Sequence, residues 1–316
     1  MTYWRLVLSI AFAAFACAAF AASLAAACII PATLRWLRGA APSRRASVLF
    51  RLRTGPTALA ALWAFGIVLP TFLAFEPRGT AETVGRALTW AAVTGVLLST
   101  RLVWRIADAW IATRRLTYDW RRRGRPLDDF DAPIDAFAID EIFPIVAVVG
   151  IRQPRLFVSE CVLRDCTAGE LSAIVAHETA HVRRRDNLRR LLVHACGGLP
   201  PGGRRLDRDW KASIEEAADS RALARDPQIR VDLAQALVRI AKLAAGARLA
   251  DAITAFYAGG TIESRVRRII GPAAVDEPRT YGCLLGCSVA TGILLFVIAA
   301  APALQATLES AVRLLP

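Results

Sequence analysis

Residues 6 to 34 carry no charged side chain, and neither do residues 54 to 75. Apolar runs of that length suit the hydrocarbon core of a bilayer, about 30 Å thick, which an α-helix crosses in about 20 residues. With no water there to bond the backbone, helices are dictated. A third clear run extends from Tyr281 to Leu308, flanked by Arg279 and Glu309. A weaker one, Val84 to Trp104, is uncharged only from Ala87 to Thr100, so Arg86 and Arg101 must snorkel to the interfaces. The chain is 55% hydrophobic, more apolar than an ordinary soluble enzyme. Four spans are expected. The first exceeds the apolar core of a cleavable signal peptide and is read as retained.

Arginine placement sets the orientation. Pro31 to Gly55 holds Arg35, Arg38, Arg44, Arg45, Arg51 and Arg53 with no acid, and Arg101 to Arg125 is similarly basic. Both are expected in the cytoplasm, placing the chain ends and the short connector around Glu76 and Glu82 outside the cell's inner membrane. Residues 1–106 then form three N-terminal spans with a basic cytoplasmic loop. Residues 107–279 form a cytoplasmic domain, and 280–316 a fourth span with a short outer tail. The formal net charge of +13 concentrates beside the spans, where topology and anionic membrane lipid explain it and direct nucleic-acid binding is not expected. The seven cysteines lack C-x-x-C spacing and read as small packing residues in a reducing compartment.

Within the inner domain, Thr167 to Cys196 reads as one long amphipathic helix. Thr167 and Glu170 form a T-x-x-E capping box at its start, and Gly197 to Pro201 ends it. It contains His177-Glu178-Thr179-Ala180-His181. Histidines four apart lie one above the other on a helix, so both imidazoles can reach one metal ion. Zn2+ is the cofactor such a pair suits, and Glu178 sits beside the metal, where it can take a proton from water as catalytic base.

A catalytic zinc needs a third protein ligand. His194, thirteen residues past His181, would point about 140° away on a continuous helix. Carboxylates are better placed, in a second helical segment from Leu206 to Arg225. Glu215 and Asp219 share a face there, so one can bind the metal while the other accepts the free N–H of a ligating histidine; Glu216 points elsewhere. Tyr257 and Arg221 are candidates to stabilise an oxyanion.

Phe143 to Val149 and Leu156 to Ser159 read as paired strands around a turn at Gly150 to Pro154. An exposed strand edge beside the motif helix could hold a polypeptide substrate extended. Val231 to Ala245 and Ile262 to Ile270 have helical spacing, and the latter carries a basic stripe that reads as a solvated or lipid-facing surface.

The segments "VVGIRQPRLFVSE", "ELSAIVAHETAHVRRRDNLRRLL" and "EEAAD", in this order and with this arrangement of spans, resemble the BlaR1/MecR1-type membrane metallopeptidases, peptidase family M56. The resemblance implies a mainly α fold, with four transmembrane helices and a cytoplasmic α+β gluzincin zinc-peptidase domain inserted between the third and fourth. It implies His177, His181 and Glu215 as zinc ligands, Glu178 as the base and Asp219 as the partner of a ligating histidine. It further implies signal-dependent cleavage of a cytoplasmic transcriptional repressor. No penicillin-binding sensor domain like that of the antibiotic-sensing members is expected, so the signal is expected from a separate sensor protein, from lipid or through the outer connector. Peptidase family M48, whose quality-control members degrade damaged membrane proteins, shares much of the pattern and is one alternative; a zinc-binding signalling scaffold without proteolysis is the other.

Overall fold

The computed structural model describes residues 3–75, 85–128, 130, 132–198, 203–224, 229–246 and 262–271. The expected fourth span and Tyr257 lie outside them. Helix α1 (Tyr3–Trp36) and helix α2 (Pro42–Trp63) are joined by a 3-10 turn at Leu37–Gly39. α2 continues through a single π turn, Ala64–Val68, into α3 (Leu69–Phe75). Pro70 lacks the N–H that would bond to Gly66, and the turn before it widens instead of breaking. Helix α4 runs from Arg86 to Arg123. By length and composition three helices can cross a membrane: Tyr3–Gly39, Pro42–Phe75 and Arg86–Arg123.

The basic connector is not a loop, because Pro42, pre-set for the first turn of a helix, starts α2 twelve residues ahead of the uncharged run. Likewise α4 remains helical past residue 106, where a domain boundary was expected. The spans pack through small residues. Ala11, Ala16 and Ala19 of α1 are buried, as are Ala92 and Gly95 of α4. A Cβ on Gly95 would collide with the Phe12 carbonyl, so this crossing requires glycine.

A four-stranded sheet follows: β1 (Arg125–Pro126), β2 (Ala136–Ile139), β3 (Val146–Val149) and β4 (Arg155–Ser159). The strand order is β1-β2-β4-β3. β2 pairs parallel to β4, with Ala136 opposite Leu156, and β3 pairs antiparallel to β4, with Val146 opposite Val158. The predicted hairpin is therefore present, but β3 begins at Val146 because Pro144 cannot donate to a ladder. β2 was not foreseen; its four residues give too short an apolar signal.

Helices α5 (Glu160–Asp165), α6 (Ala168–Arg183), α7 (Asp186–Ala195), α8 (Gly203–Leu223) and α9 (Ile229–Gly246) come next. Helix α10 (Ile262–Ile270) ends the described chain. One core lies between the sheet and α6 and α9, centred on Leu156, Val158, Ile174 and Ile240. On the other face, Trp120 at the end of α4 packs edge-on to Phe157, 5.3 Å between ring centroids. A second core joins the connector to α8: Leu37, Ala46 and Leu49 close over Leu206, Trp210 and Ile214. The connector between the first two spans thus lies on the same side as α8.

The single long helix expected over Thr167 to Cys196 is corrected. It breaks at Arg184 and Arg185, and Arg185 takes a left-handed conformation with φ 53°. That conformation costs a non-glycine residue about 1–2 kcal/mol. Arg185 is exposed, so Arg185→Gly is expected to raise stability by about 1 kcal/mol, read from thermal unfolding. Equal or lower stability would show that the arginine side chain offsets its backbone strain.

Candidate active site

The capping box forms as the sequence suggests. Glu170 N–H donates to Thr167 Oγ1 at 3.2 Å, and Thr167 N–H donates to Glu170 Oε2 at 2.8 Å. Arg239 of α9 braces Glu170, with Nε 3.0 Å from Oε2. This fixes the register of α6 and sends His177 and His181 to its buried face. Their Nε2 atoms lie 3.2 Å apart.

Each imidazole has a carboxylate at its far nitrogen. His181 Nδ1 is 2.8 Å from Asp186 Oδ2. His177 Nδ1 is 2.9 Å from Asp219 Oδ1, close enough for ion pairing but not aligned as a hydrogen bond. These acids favour the proton on Nδ1 and leave both Nε2 lone pairs facing inward. Glu215 of α8 completes the group, its Oε2 lying 3.5 Å from His177 Nε2 and its Oε1 3.7 Å from His181 Nε2. Two imidazole nitrogens and a carboxylate converging on one point suit a shared cation. Donors at about 2.0–2.1 Å from a tetrahedral zinc lie roughly 3.3–3.4 Å apart, close to the spacing here. The residues present fit the metal, and among those described they form the one such group of histidine and carboxylate donors.

Electrostatics point the same way. Burial disfavours charge on both members, yet His181 is pushed up to about 10 by Glu215 and Asp186. Glu215 is held well below the usual carboxylate range by His181, His177 and Arg265, against its burial. Two opposite consequences are expected for metal-free protein. His181 is raised from its ordinary 6.5, so its charge stabilises the fold fully below about pH 6.5, and this contribution is lost as pH rises toward 10. Zinc must displace that proton, so zinc affinity should increase over the same range. Thermal unfolding of chelator-treated protein and zinc titration across this window check both; a flat stability profile would mean that His181 is neutral without metal.

Glu178 lines the same cleft, a space of about 150 Å³ walled by Val146, Ala147 and Val148 of β3 on one side and Leu233, Leu237 and Ile240 of α9 on the other. β3 is the edge of its sheet. Ser159 N–H donates to Ile145 O at 2.8 Å, which turns Ala147 and Val149 toward β4 and the backbone of Val146 and Val148 toward the open edge. Asn187 of α7 caps that edge, its Nδ2 2.9 Å from Val148 O and 2.9 Å from Gly150 O.

The structure thus gathers His177, Glu178, His181 and Glu215 at one cleft, with Asp219 behind His177. Arg221 is exposed and does not line it. His194 lies away, 3.4 Å from Arg105. Sequence reasoning missed Asp186, Arg265 and Arg190. On an unbroken helix Asp186 would turn about 140° from His181; the left-handed Arg185 swings it back. A usable signal was present, since an acidic residue such as Asp186 favours the first turn of a helix. Arg265 contradicts the solvated reading of the α10 stripe. It is buried and clamps Asp219 through Nε at 3.0 Å and Nη2 at 2.7 Å. Ile262, Val266 and Ile269 define the inward face of α10, and position 265 falls on that same face. Arg190 Nη2 sits 3.1 Å from Glu215 Oε1 at the cleft wall.

Such a donor set beside a carboxylate and a strand edge is the kind of centre a metallopeptidase uses. Residues 130–199 match the family model of peptidase family M48. The match spans β2 to α7, including the two histidines, and stops before Glu215. It is to M48, whereas the motifs resemble M56, and nothing in the comparisons supports the BlaR1/MecR1-type reading or a signal-transduction role. No curated protein matches the chain. Among solved structures, Ste24p of S. mikatae is similar at 15% identity and a TM-score of 0.33, over 66% of this chain and 63% of that one. The chain therefore spans less than two thirds of that protein's length, and so slight a likeness carries no structural argument.

Proposed function

We propose that this chain is an integral-membrane, zinc-dependent endopeptidase hydrolysing peptide bonds in proteins at the membrane surface. The observation that carries it is the convergence of His177 Nε2, His181 Nε2 and Glu215 in the cleft that also holds Glu178. In this reading His177, His181 and Glu215 hold the metal, while Asp219 and Asp186 keep the Nδ1 protons and so orient both rings. Bound zinc supplies Lewis acidity toward the scissile carbonyl and toward water. Glu178 accepts a proton as water oxygen attacks the carbonyl carbon, then delivers it to the leaving nitrogen as the C–N bond breaks. Val146 offers backbone groups on the edge of β3 short of the Asn187 cap at Val148, and these hold the substrate extended as an added strand. The apolar α9 wall favours a hydrophobic side chain next to the cleaved bond.

The three apolar helices anchor the enzyme, and the segment from Tyr281 to Leu308 is assigned as a fourth span on its composition. The arginine-rich connector packs against α8, which under the positive-inside rule supports a cytoplasmic position for the catalytic helices. The M48 match favours turnover of membrane proteins over signal-dependent cleavage of a repressor, since the latter rested on the M56 resemblance. Purified protein should cleave an unfolded polypeptide, lose that activity to a chelator and regain it with about one equivalent of zinc per chain. Chelator-insensitive cleavage would overturn the zinc assignment.

A further inference from the structure

A second cleft, of about 530 Å³, opens where α1 ends, α2 begins and α8 passes beneath them. Four arginines line it, Arg35, Arg38, Arg45 and Arg205, against two acids, Asp209 and Glu216. Glu216 is already engaged, by Arg45 on one side and by Arg268 Nη1 at 2.7 Å on the other. Arg205 lies 3.9 Å from Asp209. Arg35 and Arg38 are exposed, and among the described residues no carboxylate pairs with either. The cleft therefore keeps surplus positive charge.

The rest of its lining includes apolar side chains, with Ile30 and Leu34 of α1 preceding Arg35 along the helix and Leu37 and Leu49 beside them. From Ile30 to Trp36 the helix rises about 9 Å. Trp36 is 58% exposed, and the Arg44 guanidinium stacks over its ring at 4.6 Å from the centroid. An exposed tryptophan paired with arginine at the end of an apolar helix marks headgroup level. An occupant must then be anionic at that level and hydrocarbon about two turns deeper, which is the profile of a lipid and not of a peptide or a free ion. Basic pockets between helices on the inner side are the expected seats for anionic headgroups.

We propose that this cleft binds an anionic phospholipid, its phosphate held by Arg35, Arg38 and Arg45 and an acyl chain lying along Ile30 and Leu34. The site is distinct from the metal cleft and rests on α1 and α2 being membrane spans, not on peptidase activity. It is nonetheless tied to that centre. Arg45 Nε donates to Ser213 Oγ at 2.9 Å, two residues before Glu215. Arg45 also holds Glu216, which Arg268 links to Asp219 at 3.4 Å, the acid behind His177.

Native mass spectrometry of the full chain released from micelles tests the proposal. The probes are phosphatidylglycerol, phosphatidylcholine of the same acyl length, and inorganic phosphate. Phosphatidylglycerol should be retained in preference to phosphatidylcholine, and phosphate should not displace it. Each arginine near the surface contributes about fivefold, so Arg35→Gln with Arg38→Gln should weaken phosphatidylglycerol about twenty-five-fold, while Arg35→Lys with Arg38→Lys retains most of the binding. Both side chains are exposed, so thermal unfolding and zinc content of these variants should match wild type. Equal retention of the two lipids, or an undiminished double glutamine variant, would overturn the site. Displacement by inorganic phosphate alone would make it a phosphate site and overturn the lipid. None of these readouts depends on peptide cleavage.

Discussion

Glu178→Gln is expected to leave zinc bound and to slow peptide hydrolysis by about a thousandfold, within the range a general base contributes. The substitution is nearly isosteric, and Glu178 is absent from the trio that gathers around the two imidazoles, so nothing that holds the metal is lost. What disappears is the acceptor for the proton of the attacking water. Two measurements made together decide it: zinc content of the purified variant, and newly generated protein N-termini in cells expressing it at wild-type level. Termini dependent on Glu178 would identify the substrate as well, with cleaved membrane proteins favouring the M48-like reading. Zinc retained with wild-type cleavage would assign the base to another residue. Zinc retained in both proteins and no Glu178-dependent termini would favour a zinc-binding scaffold without proteolysis.

The site was legible to the degree that it is local. His177, Glu178 and His181 lie on one helix whose start is encoded in Thr167 and Glu170, so periodicity alone brought them together. Glu215 and Asp219 followed from a second amphipathic pattern four residues apart. What could not be read was whatever depended on backbone direction between helices. Arg185 adopts a left-handed turn that its residue type does not favour, and Asp186 reaches His181 only through that turn. Arg265 was masked by its neighbours, since Arg267 and Arg268 make the segment look like a solvated face while position 265 points inward. The spans show the same division. Uncharged length pointed to the three candidate spans among the described residues, but not to the helical continuation of α2 and α4 through arginine-rich flanks, because arginine is a good helix former and its charge says nothing about where the helix stops.

Asp219→Ala should have the second largest effect, on stability and on zinc together. The side chain is buried beside an equally enclosed Arg265, which it meets through two short contacts at 3.0 and 2.7 Å. Deleting it leaves a buried guanidinium with the Glu215 carboxylate 3.5 Å away. Breaking a buried pair from one side costs about 3–5 kcal/mol. Glu215 is also the third ligand in the proposed centre, so the unpaired Arg265 draws on the oxygen that the metal needs, and His177 loses the carboxylate at its Nδ1. Loss of such a partner typically weakens metal affinity by about 10–100-fold. The two contributions separate in a paired variant, Asp219→Leu with Arg265→Met, which removes both charges and keeps the volume apolar. Thermal stability should return close to wild type, since a buried pair replaced whole is often neutral, while zinc affinity should stay low because His177 still lacks its partner. Full recovery of zinc binding in the paired variant would mean that Asp219 serves only to neutralise Arg265 and has no part in orienting the histidine.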